Sequence, residues 1–281
     1  MKLAVISDIH GNLPALEAVL ADLDDWQPDW VVVDGDVVNR GPQPRECLHV
    51  ILEKETKSGW PFVLGNHEEY VLVHTLPNAP RNGPEFEILR YSYWTYRQLG
   101  EDIQYIQNLP FCVTLEDGNH TLGFFTHASP LGTRDGIYPE TTDEELRAKI
   151  PDSVSLLAVG HTHRPLVRTV ESTLVVNAGA VGLPFDGDWR ASYARLIWDG
   201  EQWRGHIQRV PYDRERTEQA FYTTGFLEEA GPLARLILVE LQQARSLLYQ
   251  WTVAYRERVL SGELSLEESV EAFLAEYVHS P

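Results

Sequence analysis

Five times along this chain a mostly apolar run gives way to a short polar cluster, and no other feature restricts the fold as much. The clusters are Asp8-Ile9-His10, Gly35-Asp36, Gly65-Asn66-His67-Glu68, His127 and Gly160-His161-Thr162-His163. The runs before them, Lys2–Ser7, Trp30–Val33, Phe62–Leu64, Thr121–Thr126 and Leu156–Val159, read as strands. Between the first strands, Leu16, Val19, Leu20 and Leu23 recur at helical spacing after Pro14, a residue suited to a first helical turn. Gln43–Lys57 reads as a second helix with Cys47, Leu48, Ile51 and Leu52 inside. Strand, loop and helix in repetition predict βαβ units. In such sheets ligands bind beyond the carboxyl ends of the strands, where the clusters fall.

The pattern changes at Thr75. Pro77, Pro80 and Pro84 punctuate a loop, and Glu85–Gln107 reads as one or two helices inserted over the site. Their Tyr91, Tyr93, Trp94 and Tyr96 are read as helix packing, with base stacking as the alternative use. Hairpins are expected at Phe111–Leu115 with Thr121–Thr126, turning through Glu116-Asp117-Gly118-Asn119, and at Leu166–Val170 with Thr173–Val176. Thr141-Thr142-Asp143-Glu144-Glu145 opens a helix with capping-box residues. Two further strands, Ser192–Trp198 and Gln202–Val210, precede Pro211. Beyond it the chain reads as helical, with Leu233, Ile237, Leu241, Ala244, Leu248, Trp251 and Tyr255 on one apolar stripe that Ser261-Gly262 breaks. Ser265 with Glu268 caps a last helix. The stripe is expected to dock on the chain's own body, with a homo-oligomer through the C-terminal helices as the alternative.

Bulk composition narrows the class. Of 281 residues 43% are hydrophobic, too many for a disordered chain and enough for a substantial core. A net charge of -19 repels nucleic-acid backbones, so no stable nucleic-acid partner is expected. Cys47 and Cys112 stand far apart and form no CxxC pair, which argues against a disulfide framework or a cysteine zinc site. The opening MKLAVISDIH lacks a signal-peptide pattern and no stretch is long and apolar enough to span a bilayer. A cytoplasmic protein without a membrane partner is the expectation.

The clusters are rich in groups that hold metal ions. Asp8 and His10, two apart on an extended turn, can face one point, and a carboxylate with an imidazole suits Mn²⁺, Fe²⁺ or Zn²⁺. Asp36 has two oxygens and can bridge a pair of ions; Asn66 offers an amide oxygen; His127, His161 and His163 add nitrogens. Two ions about 3.5–4 Å apart can grip a phosphate and share an activated water, so no protein nucleophile is required. A nearby histidine then supplies the leaving group's proton.

Taken in order, DIH, GDVVNRG, GNHE, FTHAS and GHTH resemble the calcineurin-like metallophosphoesterases, whose pattern is DxH, GDxxxR, GNHE, a lone histidine and GHxH. The resemblance covers about residues 1–211 and leans towards the branch holding protein phosphatases and diadenosine-tetraphosphate hydrolases. It implies an α/β fold of two packed mixed β-sheets flanked by helices in domain 1–211; the chain's own pattern adds a helical cap insertion over 75–110 and a helical extension over 212–281. It implies two divalent metal ions, manganese or iron with zinc, nickel or cobalt also compatible. The first is held by Asp8, His10, Asp36 and His163, the second by Asp36, Asn66, His127 and His161. His67 is implied as proton donor and Arg40 as the phosphate-binding arginine. Where that branch has a second aspartate in GDxxDRG, this chain has Asn39. An amide can hold a histidine ring but does not stabilise an imidazolium as a carboxylate does, so His67 is expected to be less biased towards its charged form. The expected activity is hydrolysis of small phosphomonoesters, phosphodiesters or nucleotides. The alternative is a metal-binding scaffold or protein-interaction module with weak catalysis. Specificity is expected from the 75–107 segment and the loops around Arg134 and Asp186.

Overall fold

The computed structural model describes residues 1–117 and 120–277; Gly118-Asn119 of the predicted turn lie outside them. The chain opens with β1 (Lys2–Ile6), α1 (Leu13–Trp26), β2 (Trp30–Val33), α2 (Pro44–Ser58) and α3 (Asn66–Leu72). The inserted segment forms α4 (Gly83–Ile88), α5 (Arg90–Leu99) and α6 (Ile103–Ile106). Then come β3 (Cys112–Asp117), β4 (His120–Thr126), α7 (Asp143–Lys149), β5 (Leu156–Val159), β6 (Leu166–Val170), β7 (Thr173–Asn177), β8 (Ala191–Trp198) and β9 (Trp203–Val210). The last part is helical: α8 (Arg214–Thr223), α9 (Phe226–Glu229), α10 (Leu233–Gln243), α11 (Leu248–Leu260) and α12 (Leu266–Tyr277).

The strands form two mixed sheets, ordered β2-β1-β8-β9 and β3-β4-β5-β7-β6. Period-two alternation explains how they stack. On β1, Leu3 and Val5 face the second sheet, while Ala4 and Ile6 face α1 and α2. On β5, Leu156 and Ala158 face the first sheet, while Leu157 and Val159 pack with Leu146 of α7. Each sheet is therefore covered by its partner on one face and by helices on the other. The fold expected from the sequence is observed.

Two expectations differ in detail. Phe62–Leu64 is not a strand; Phe62 makes only an isolated parallel bridge to Val33. Three residues between Pro61 and Gly65 are too few for a ladder, and the Leu64 N–H donates to Pro110 O instead. The apolar stripe from Leu233 to Tyr255 spans two helices, because the chain turns at Ala244 with φ of 49°. Buried Glu240 accounts for the break: its Oε1 accepts from the N–H groups of both Leu247 and Leu248 at 2.7 Å. The stripe itself is used within the chain. Leu233, Ile237, Leu241 and Trp251 are buried with Tyr91 and Trp94 of α5 and with Leu183, Phe221 and Phe226. Tyr91 and Trp94 thus serve packing, as read. Among the described residues, no helix is long and apolar enough to cross a membrane.

Candidate metal centre

The clusters meet at one end of the sheets because the loops carrying them are tied to one another. Asp8 N–H donates to Gly35 O, His10 N–H to Asp36 O, Gly160 N–H to His127 O and Gly182 N–H to Asp8 O. Glu68 clamps the second loop, accepting from the N–H groups of Asp36, Val37 and Val38. Among the described residues eleven non-glycine residues have positive φ, and seven are here: Asp8, His10, Asp36, Asn39, Arg40, His161 and His163. Each such conformation costs about 1–2 kcal/mol and concentrates where geometry serves function. Close approach adds a demand for glycine. A Cβ on Gly65 would lie 2.1 Å from Asp36 Oδ1, and one on Gly160 would lie 1.9 Å from Ser7 Oγ.

Two groups of donors result, joined through Asp36. Asp8, His10, Asp36 and His163 are all buried, with candidate ligand atoms within 4.8 Å of one another. His163 Nε2 is 3.1 Å from Asp8 Oδ1 and 3.2 Å from His10 Nε2. His10 Nε2 is 3.7 Å from Asp36 Oδ2. On the other side, His127 Nε2 is 3.2 Å from the same Asp36 Oδ2 and 3.0 Å from Asn66 Oδ1, and His161 Nδ1 is 2.8 Å from Asn66 Oδ1. All seven residues singled out as metal ligands are therefore brought together.

The far sides of these groups are anchored in the way metal ligands usually are. His10, His127 and His163 each turn Nδ1 to a backbone oxygen, of Asn39, Asp34 and Leu183 respectively, which leaves Nε2 facing the cluster. Asp36 Oδ1 accepts from His67 N–H at 2.8 Å, leaving Oδ2 free. Asp8 Oδ2 accepts from Ser7 Oγ and His161 N–H, while its buried Oδ1 has no hydrogen-bond partner. An orphaned carboxylate oxygen between two imidazole nitrogens fits a cation. Charge agrees. Burial pushes the Asp8 and Asp36 carboxyls up, but the histidines around them, His163 and His127 first, more than offset it and hold both low. Burial holds His10 below its ordinary value and lowers His161 to about 4. Burial opposes a proton on His127, yet Asp36 outweighs it and raises the ring to about 10, so a bound cation would displace a proton there.

His67 and Arg40 border the cluster. Asn39 Oδ1 accepts from Arg40 N–H at 3.0 Å, which orients the amide so that its Nδ2 donates to His67 Nδ1 at 2.9 Å. The His67 ring then keeps its hydrogen on Nε2. Burial holds its proton affinity well below the ordinary value. The Arg40 guanidinium lies over the Phe185 ring, with Nη1 3.9 Å from Glu240 Oε2. Asp36, Asn66, His67, His161 and His163 open into a cleft of about 1150 Å³, which Arg40, Tyr91 and Arg164 also line.

The sequence reading overlooked the opposite wall of that cleft, formed by Arg245, Ser246, Leu248, Tyr249, Gln250 and Thr252. A signal existed in Glu240, an acid inside an apolar helical stripe, which must be partnered where it is buried. Arg164 also lines the cleft and is paired with Glu140. Arg134 pairs with Glu69 and lies over Tyr70, another residue of the cleft.

A double-sheet sandwich with a buried Asp/His cluster at its strand ends defines a metal-binding protein of the phosphoesterase type. The chain belongs to the calcineurin-like phosphoesterase superfamily, whose domain model matches residues 1–200. It is similar to an uncharacterized protein of Methanocaldococcus jannaschii, 31% identical over 229 residues, which are 75% of this chain and 88% of that one. The crystal structure of a metallophosphoesterase from Sphaerobacter thermophilus is 31% identical with a TM-score of 0.66, covering 87% of this chain and 100% of that chain. Phosphodiesterase YfcE of Escherichia coli is 51% identical over 43 residues, 15% of this chain and 23% of its own length.

Proposed function

We propose that the chain is a dinuclear metal-dependent hydrolase of small phosphoesters: phosphomonoesters, phosphodiesters or nucleotides. The observation that carries this is Asp36 Oδ2, placed between His10 Nε2 at 3.7 Å and His127 Nε2 at 3.2 Å, at the junction of two donor sets. Asp8, His10, Asp36 and His163 would hold one ion; Asp36, Asn66, His127 and His161 would hold the other. When bound, such ions would polarise the phosphoryl oxygens and activate a water for attack. Their N/O ligands suit manganese or iron, and also zinc, nickel or cobalt.

The chain's own residues do the rest. Arg40 binds phosphate oxygens through its guanidinium, which reaches the cleft from a nearly buried position. The imidazolium form of His67 would give its Nε2 proton to the leaving oxygen and return to the neutral ring whose Nδ1 accepts from Asn39 Nδ2. The surrounding cleft binds the organic part of the ester. The test is hydrolysis of p-nitrophenyl phosphate and bis(p-nitrophenyl) phosphate by purified protein with Mn²⁺. Asp36→Asn should lower turnover by about 10³-fold or more, and His67→Ala by about 10²–10⁴-fold. Turnover that survives both substitutions overturns the assignment.

A further inference from the structure

The cleft of about 1150 Å³ is larger than a phosphate group requires and matches the space an extended organic ligand occupies. Its far wall comes from the C-terminal extension, in the turn between α10 and α11. That turn is held from two sides. Glu240 Oε1 accepts from Leu247 and Leu248 N–H, and Gly187 N–H donates to Ala244 O across the cleft-lining loop. Ordering of the turn therefore does not have to await a ligand.

The charges of the cleft outside the metal cluster are unequal in their partners. Arg164 pairs with Glu140, Asp186 with Arg209, and Arg40 faces Glu240. Arg245 is exposed, lines the cleft and has no carboxylate partner among the described residues. An unneutralised guanidinium in the same cleft as the metal cluster, in a chain of net charge -19, is a receptor for an anion. Two aromatic rings stand at the same rim in water: Tyr249 of α11 is 68% exposed and Tyr138, from the loop before α7, is 45% exposed. Burial, with the Tyr249 hydroxyl next, raises the Tyr138 phenol, and both rings line the same cleft.

We propose that the extension is a substrate-binding element in which Arg245 receives a second anionic group and Tyr249 stacks on a flat ring. The class of ligand is thus a nucleotide-like phosphoester bearing a further phosphate or carboxylate. This rests on the hydrolase reading above and sharpens its substrate class. Neither residue touches the metal cluster; both act on the arm of the substrate that points away from it.

The test is calorimetric titration of the Mn²⁺-loaded full chain with orthophosphate, adenosine 5′-monophosphate and adenosine 3′,5′-bisphosphate, for the wild type, R245A, R245K and Y249A. The wild type should bind the bisphosphate about tenfold more tightly than the monophosphate. R245A should abolish that advantage and R245K should keep part of it. Y249A should lower the ratio of nucleotide to orthophosphate affinity about fivefold. Equal binding of the two nucleotides by the wild type, no binding of either, or wild-type ratios in both R245A and Y249A would overturn the inference. Turnover of bis(p-nitrophenyl) phosphate is scored separately. Its absence overturns the hydrolase reading, whereas the dissociation constants are read whether or not turnover occurs.

Discussion

The side-chain amide of Asn39 donates to Nδ1 of His67 at 2.9 Å, and its oxygen is committed to Arg40 N–H. One residue therefore sets the tautomer of the histidine and the backbone of the arginine beside it. A carboxylate at this position would reverse the polarity of the contact, accepting a proton-bearing Nδ1 instead of donating to a bare one.

Asn39→Asp should therefore raise the proton affinity of His67 by about one pH unit or more. The form of His67 that donates is the imidazolium, so activity is lost as pH rises through its pKa. The alkaline limb of the pH–rate profile should move upwards in the variant. An alkaline limb at the wild-type position would show that His67 is not the titrating donor.

Gly65→Ala tests the crowding behind the cluster. Its Cβ would fall 2.1 Å from Asp36 Oδ1, and Asp36 N is 2.5 Å away, so the shared carboxylate must shift. Metal affinity should drop by about 10- to 100-fold, as for other losses of ligand support. Titration with Mn²⁺ monitored by calorimetry measures it, and wild-type affinity would contradict the geometry.

Most of this centre is legible in the chain because the ligands sit in short segments after apolar runs, as His161 and His163 follow β5 and Asn66 follows the isolated bridge at Phe62. Local sequence carries both the ligand and the turn that aims it. The substrate wall is not local. Arg245 and Tyr249 reach the cleft only because α10 packs against Tyr91 and Trp94, about 150 residues earlier in the chain. The break at Ala244 is equally hidden, since apolar stepping continues through it and the cause is a side chain, Glu240, that bonds to amides seven and eight residues ahead. The strands are legible from their apolar runs and the double sheet from the family resemblance, whereas Phe62–Leu64 has strand-like residues but too little length between Pro61 and Gly65.

His74 supplies a pH dependence of stability apart from the metal cluster. Its Nε2 contacts Ser92 Oγ, which itself donates to Leu89 O, so Nε2 carries the hydrogen and the buried Nδ1 has no partner. Burial, with Arg81 nearby, lowers the ring to about 4 against 6.5 when unfolded. The unfolded chain thus binds a proton that the folded chain refuses, and stability present above pH 6.5 is lost as pH falls towards 4. Between pH 7 and pH 5 this group should remove about 1–2 kcal/mol. Urea unfolding of wild type and His74→Gln at both pH values checks it; equal losses in the two proteins would contradict the assignment.

Trp251 anchors the extension. Its side chain is fully buried and Nε1 donates to Ser269 Oγ at 3.1 Å, joining α11 to α12. Trp251→Ala should cost about 3–5 kcal/mol and Trp251→Phe about 1 kcal/mol for the lost hydrogen bond. Denaturant unfolding reads both, and an alanine variant as stable as the wild type would show that the extension is not packed as described.

The shared role of Asp36 is tested most directly by anomalous diffraction from a crystal of the protein grown with Mn²⁺. Two peaks about 3.5–4 Å apart are expected, one among Asp8, His10 and His163 and the other among Asn66, His127 and His161, with Asp36 Oδ2 between them. A single peak, or a pair in which Asp36 contacts only one ion, would contradict a dinuclear centre built on that carboxylate.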